Sequence, residues 1–146
     1  MNSNIIIDSS VALKWFFPEE EYSNEALKIK KDFAKKKITI SVPMLLFYEV
    51  GNVLKSAVKS SRVSSHKAKR AYESFTHIEF IIYSSKELFK DAFEKANALD
   101  ITFYDASYVV LAEYLRIPFY TADDKLLQKA KAEYTCHLKE YPSFSS

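Results

Sequence analysis

The chain has 146 residues, of which one is glycine and one is cysteine. The single glycine excludes the glycine-rich loops that bind nucleotide phosphates. The single cysteine excludes internal disulfides, cysteine-rich zinc sites and iron–sulfur clusters. The net charge of +2 is too small to indicate a polyanionic partner. A nucleic-acid site would therefore have to be a local patch.

The composition predicts one globular domain over residues 1–146. Hydrophobic residues make up 48% of the chain and charged residues 27%, which is enough for a buried core and a soluble surface. No uninterrupted apolar run approaches the roughly 18 residues of a membrane span, and the first residues lack the basic region of a secretory signal. We therefore expect a cytoplasmic protein. Residues 141–146 are expected to fray.

Short apolar runs alternate with helical patterns along the chain. The runs that predict strands are residues 4–8, 38–42, 78–83, 118–120 and 134–138. Between them apolar residues recur at helical spacing, and Ser84 followed by Glu87 predicts a helix start with a capping box. Because parallel strands need crossover connections, this alternation predicts a three-layer α/β/α sandwich around a central, mostly parallel sheet of about five strands.

Two acids directly follow predicted strands. Asp8 comes after three isoleucines, and Asp123 comes after the run that begins at Pro118. The carboxyl ends of parallel strands are where ligand sites of such sheets lie. Both acids would also fit as N-caps of the helices that follow, so a purely structural role stays open for each. Asp124, the next residue, leaves the identity of the second acid ambiguous.

Two further acids interrupt apolar helical segments. Asp105 lies in residues 101–112, whose helix must be largely buried, although an acid near a helix start is also favoured by the macrodipole. Glu49 follows the apolar residues 44–48. A solvated helix face explains Glu49 well, because it heads a polar stripe with Asn52, Lys55, Ser56 and Lys59. If the four acids converge, they repel one another unless a hard cation such as Mg²⁺ or Mn²⁺ binds them.

Four segments of the chain resemble the PIN-domain family of metal-dependent ribonucleases, in particular its VapC-type toxins. The segments are residues 5–16, 43–54, 103–108 and 121–126. The resemblance implies a divalent-metal-dependent endoribonuclease that hydrolyses RNA phosphodiester bonds as the toxin of a toxin–antitoxin system. It implies Mg²⁺ or Mn²⁺ as cofactor and, as partners, an RNA substrate, a cognate antitoxin and a second copy of the chain. From the lack of a long apolar run we expect no membrane partner.

The resemblance also implies roles for particular residues. The catalytic acids would be Asp8, Glu49, Asp105 and Asp123, of which Asp8, Asp105 and Asp123 are expected to be metal ligands. Supporting roles are expected for Ser10, Asn52, Thr121 and Asp124. Substrate contacts would come from basic residues beside the groove, and the available set is Lys14, Lys55, Lys59, Arg62, Lys67, Lys69 and Arg70.

Two other classes of protein stay open. One is a phosphatase with an aspartyl nucleophile at the end of its first strand. Such haloacid-dehalogenase-like enzymes carry a second Asp two residues later, where this chain has Ser10. The other is a catalytically silent module that binds RNA or protein, in which the acids are helix caps and surface charges.

Overall fold

The computed structural model describes residues 3–130 and 133–142. Within them the strands are β1 (Ser3–Ile7), β2 (Ile38–Pro43), β3 (Ile81–Tyr83), β4 (Phe119–Thr121) and β5 (Thr135–His137). All neighbouring strands are parallel, in the order β3-β2-β1-β4-β5. The predicted parallel sheet is confirmed. Of the tail that was expected to fray, residues 143–146 lie outside the described residues.

The connections between the strands are helical. The helices are α1 (Ser9–Ala12), α2 (Ser23–Ala34), α3 (Leu45–Lys59), α4 (Ser65–Thr76), α5 (Lys86–Leu99), α6 (Phe103–Leu115) and α7 (Asp124–Lys129). Short 3₁₀ turns follow α1 at Leu13–Trp15 and β5 at Leu138–Glu140. No helix in the described part of the chain is both long enough and apolar enough to cross a bilayer.

Alternating side chains of the central strands divide the core between the two faces of the sheet. Ile5 and Ile7 of β1 point to the face that α1 to α4 cover. Ile6, between them, packs with Phe119 against α6 and α7 on the opposite face. Helix α5 packs on α6 through a smaller cluster of buried residues. The three-layer α/β/α sandwich is therefore confirmed.

Two local expectations were wrong. Strand β3 covers only part of the predicted residues 78–83, because the backbone N–H of Phe80 donates to the carbonyl of Ile78 at 2.9 Å instead of joining the sheet. Phe80 is buried among aromatic rings, so its apolar character serves the core and not a strand. The capping box does not form either: Ser85 is the N-cap of α5, and no side-chain hydrogen bond caps that helix.

The topology predicts a crevice at the carboxyl ends of the central strands. From β1 the chain crosses to β2 on one side, and later returns to β4 on the other side of β1. Ligands of open α/β sheets bind where the strand order reverses in this way. Asp8, which follows β1, and Asp123, which follows β4, therefore lie at the edge of the sheet where such a site is expected.

Candidate active site

Asp8 is the most deeply buried acid of the crevice, with 4% of its surface exposed. The Ser10 hydroxyl donates to its Oδ1 at 2.5 Å, and the Thr121 hydroxyl donates to its Oδ2 at 2.5 Å. Burial, the largest effect, raises the pKa of Asp8 to about 7 although both hydroxyls lower it, and the charges of Glu49 and Asp105 raise it further. The folded chain therefore holds this carboxylate in a state that costs free energy at neutral pH.

Ser10 and Thr121 join the ends of β1 and β4. Residues Ile7 and Tyr120 are partners in the register, which places Asp8 beside Thr121. The Ser10 Oγ accepts from the backbone N–H of Ala122 at 2.9 Å, in addition to its bond to Asp8. These bonds fix the orientation of the Asp8 carboxylate, which suits the supporting role that the resemblance implies for both hydroxyls.

Glu49 reaches the same crevice from α3. The Tyr108 hydroxyl, on α6, donates to Glu49 Oε1 at 2.5 Å. Burial, the largest effect, raises the pKa of Glu49, and the charge of Asp105 raises it further, while the hydrogen bonds from Tyr108 and Ser9 lower it. Glu49 is therefore a partly buried acid with a hydrogen-bond partner, and not only the head of a solvated stripe.

Tyr108 was not predicted as a site residue. Its side chain is 1% exposed, and its ring stacks on Phe119 with 5.5 Å between the centroids. In the sequence it looks like any aromatic residue of a buried helix. The available signal was that a buried tyrosine hydroxyl needs a hydrogen-bond partner, and Glu49 supplies one here.

Asp105 and Asp123 combine helix-end roles with a place in the crevice. The backbone N–H of Asp105 donates to the side chain of Thr102, the N-cap of α6, at 2.9 Å. Asp123 is the N-cap of α7 and accepts from the backbone N–H of Leu126 at 3.1 Å. Burial, followed by the charge of Asp123, raises the pKa of Asp105. The cap explanation and the site explanation are thus not exclusive.

Two residues with expected supporting roles lie apart from these acids. Asp124 points to His137, with 3.5 Å from its Oδ1 to the imidazole Nε2, and its side chain is 81% exposed. Asn52 is exposed on α3, one turn beyond Glu49, and none of the hydrogen bonds among residues 3–130 and 133–142 joins it to an acid. Between the two adjacent aspartates, Asp123 is the one beside Asp105.

The crevice brings acids together, and no cationic side chain in the described ranges 3–130 and 133–142 pairs with them. Lys14, the nearest basic residue in the chain to Asp8, instead forms an ion pair with Glu20 at 3.6 Å. In the described part of the chain, none of the ion pairs includes a crevice acid. As the side chains lie, no three His, Cys, Asp or Glu residues of that part are arranged to hold a metal ion. The arrangement can attract a cation, which would remove the repulsion among the acids.

Comparison with known sequences gives related proteins that are named as VapC ribonucleases. Ribonuclease VapC1 of Mycobacterium tuberculosis is 34% identical over 87 residues, which are 59% of this chain and 64% of that protein. The match thus spans less than two thirds of this relative. Ribonuclease VapC3 of Pyrobaculum aerophilum is 28% identical over 132 residues, which are 88% of this chain and 95% of that protein.

Solved structures share the fold over nearly the whole chain. The crystal structure of PAE2754 from Pyrobaculum aerophilum has a TM-score of 0.70 at 25% identity, with 95% of this chain and 93% of that chain covered. A toxin–antitoxin complex from Klebsiella pneumoniae has a TM-score of 0.64 at 15% identity, with coverage of 94% and 99%, which shows the fold alone. The PIN domain family matches residues 5–132, a range that contains all four crevice acids. The chain therefore belongs to the PIN-domain family.

Proposed function

We propose that the chain is a divalent-metal-dependent endoribonuclease and the toxin of a toxin–antitoxin pair. The observation that carries the proposal is the meeting of carboxylates from separate segments around Asp8, whose pKa is raised to about 7. Such a cluster is costly to the fold, and acids are kept in that state at functional sites. The ribonuclease names of the relatives support RNA as the substrate.

The donor set of the crevice suits Mg²⁺ or Mn²⁺. The acids offer only carboxylate oxygens, which are the ligands that hard divalent cations prefer. Asp8, Asp105 and Asp123 would hold the ion, and Asp105 and Asp123 are half-buried side chains that would have to rotate toward it. When bound, the ion lowers the pKa of its water and neutralises charge that develops on the phosphate.

Orientation of the metal ligand and acceptance of the proton would be carried out by side chains that the fold already positions. Ser10 and Thr121 hold both oxygens of Asp8, so that this carboxylate cannot rotate away from the crevice. The Tyr108 hydroxyl donates to Glu49 Oε1 and so orients this carboxylate, which would accept a proton from the attacking water. Nothing in this scheme needs a histidine or a serine nucleophile.

The direct test is cleavage of a labelled, unstructured RNA by the purified chain. We expect cleavage with Mg²⁺ or Mn²⁺ and none with EDTA. Asp105→Asn should lower the rate at least about a hundredfold, because it removes a proposed metal ligand. The matched control is Asp91→Asn, which changes an exposed carboxylate of α5 and should cleave as the wild type does. Equal rates for all three proteins would contradict the proposal.

Tyr108→Phe tests how Glu49 is positioned. The substitution keeps the ring on Phe119 and removes only the hydroxyl that donates to Glu49. We expect kcat to fall about tenfold with little change in KM. Since the Tyr108 hydrogen bond lowers the pKa of Glu49, its loss should also move the acidic limb of the pH–rate profile to higher pH. An unchanged profile would mean that Tyr108 serves the core alone.

A catalytically silent RNA- or protein-binding module is the second candidate. Two observations favour it. Asp8 accepts a cap hydrogen bond from the backbone N–H of Val11, and Asp123 accepts one from that of Leu126. In the described residues, no three possible ligands are already arranged around a metal position. This module would bind without cleaving, and removal of an acid would cost about 1 kcal/mol of stability as the loss of a cap. The cleavage assay separates the two functions.

The proposal includes two protein partners. Toxin–antitoxin complexes among the structures of the same fold support a cognate antitoxin. A second copy is supported by an apolar groove of about 300 Å³ whose lining holds no charged residue. Phe89 and Tyr104, in that lining, are 53% and 58% exposed, and apolar exposure of this kind marks interaction surfaces.

A further inference from the structure

A second groove lies between α3, the helix that carries Glu49, and α4. It has a volume of about 910 Å³, and the residues of α3 that line it include Tyr48, Asn52, Lys55 and Lys59. These positions are four, three and four residues apart, so they form one stripe along the helix. Lys69 lines the groove from α4, and no carboxylate is among the lining residues.

The floor of this groove depends on the only glycine of the chain. A Cβ at Gly51 would come within 3.2 Å of the Tyr72 ring, so glycine lets α4 approach α3 closely. The Tyr72 hydroxyl donates to the backbone carbonyl of Phe47 at 2.6 Å, which fixes the ring against α3. The groove is thus formed where two helices pack closely, and lysines are among its lining residues.

The three lysines of the groove have no anionic partner. Two of the other basic residues that the sequence offered for substrate contacts are engaged elsewhere: Lys14 pairs with Glu20, and Arg62 pairs with Glu19 and Glu20. Lys67 and Arg70 are exposed and form no ion pair in residues 3–130 and 133–142, but they do not line this groove. In residues 3–130 and 133–142, no ion pair involves Lys55, Lys59 or Lys69, and all three are exposed. This surface therefore carries unneutralised positive charge.

The lysine stripe leads away from the crevice along α3. Glu49 lies one turn before Asn52, and Lys55 and Lys59 follow at roughly 9 and 15 Å from Glu49 along the helix axis, at about 1.5 Å per residue. Tyr48, which is 73% exposed, borders both this groove and the uncharged groove beside Phe103 and Tyr104. It offers an aromatic face on which a base can stack.

We propose that the α3–α4 groove binds the backbone of single-stranded RNA through Lys55, Lys59 and Lys69 and leads it to the crevice acids. The inference rests on the proposed ribonuclease function. An anionic chain entering a crevice of four acids has to be held by cations nearby, and this groove is an uncompensated basic surface on the helix that carries Glu49. Stacking on Tyr48 would favour unpaired bases over a duplex.

The test compares two double variants that lose the same charge. Lys55→Gln/Lys59→Gln changes the groove, and Lys35→Gln/Lys36→Gln changes exposed residues after α2, near the amino end of β2. Affinity for a labelled, unstructured oligoribonucleotide is measured in EDTA over a series of salt concentrations. We expect the groove variant alone to bind about tenfold more weakly, with a salt slope shallower by roughly 1.4 for two lost phosphate contacts. In Mg²⁺ its KM should rise while kcat is kept.

The other outcomes contradict either the groove proposal alone or the proposed ribonuclease function as well. Equal weakening by both double variants would mean that total charge and not the groove attracts RNA, and no weakening by either would remove the groove from the RNA path. If RNA affinity is unchanged and only the groove variant loses affinity for poly-L-glutamate, the groove takes an acidic polypeptide instead. A wild-type chain that neither binds nor cleaves RNA would overturn the proposed function together with the groove.

Discussion

Asp8→Asn is expected to abolish RNA cleavage and, without metal, to make the chain more stable than the wild type at pH 8. The activity is lost because an amide is a poor metal ligand and cannot carry the charge that an ion would compensate. The stability rises because the wild type has to bury a carboxylate with 4% exposure whose pKa is about 7. A purely structural cap would show the opposite effect on stability.

Proton linkage explains why the buried Asp8 makes the wild type less stable as the pH rises. In the unfolded chain Asp8 loses its proton near the ordinary aspartate pKa of 3.8, whereas the folded chain keeps the proton up to about pH 7. Between these values the folded state binds one more proton, so the wild-type free energy of unfolding falls by about 1.4 kcal/mol per pH unit. The stabilising effect of the protonated group is fully present below pH 3.8 and is lost as the pH rises through 7.

Asparagine lacks this pH dependence. From pH 5 to the pKa near 7 the wild type should lose roughly 3 kcal/mol relative to the variant, at about 1.4 kcal/mol per unit. The amide accepts from only one of the two hydroxyls, Ser10 or Thr121, whereas the ionised carboxylate accepts from both, so the variant loses about 1–2 kcal/mol of this gain where Asp8 is ionised. We therefore expect the variant to gain stability relative to the wild type as the pH rises from 5, and to be the more stable protein at pH 8.

Urea unfolding in EDTA at a series of pH values measures this difference. Asp91→Asn, at an exposed position of α5, serves as the control and should follow the wild-type curve throughout. Parallel curves for Asp8→Asn and the wild type would show that the buried carboxylate does not carry the predicted cost. Cleavage by a folded Asp8→Asn protein would contradict the catalytic assignment separately.

The architecture and the strand-end acids could be predicted because they follow from local patterns. Asp8 directly follows three isoleucines of a central strand, so that any parallel arrangement brings it to the carboxyl edge of the sheet. Loop residues of the core could not be predicted in the same way. Phe80 has the composition of a strand residue, yet it fills the space beside Phe75 from a turn that only the packing of α4 defines.

The rest of the site depends on long-range contacts that have no local signature. Glu49 and Tyr108 are 59 positions apart, and their hydrogen bond exists because α3 and α6 reach the same edge of the sheet from opposite faces. The choice between Asp123 and Asp124 depends on where α7 begins, since the N-cap residue turns toward the crevice and the next residue toward His137. Such helix boundaries are not fixed by sequence patterns to a single residue.

Addition of Mn²⁺ or Mg²⁺ to the metal-free wild type is expected to raise its Tm by several degrees. An ion that binds only the folded chain stabilises it by RT ln(1 + [L]/Kd), or about 2.7 kcal/mol at a hundred times Kd. The double variant Asp8→Asn/Asp105→Asn should show no such shift, although its metal-free Tm at pH 8 should exceed that of the wild type. Potassium chloride at matched ionic strength controls for screening of the surface charges.

The shift should be larger at pH 8 than at pH 6, and this difference links the metal to Asp8. At pH 6 the carboxyl, with a pKa of about 7, is mostly protonated in the folded chain and has to lose its proton before it can bind an ion. The apparent affinity should therefore fall up to about tenfold per pH unit below 7. A shift of the same size at both pH values would place the ion away from Asp8. The absence of any Tm shift at millimolar metal would mean that the acids serve only as helix caps. It would favour the catalytically silent binding module.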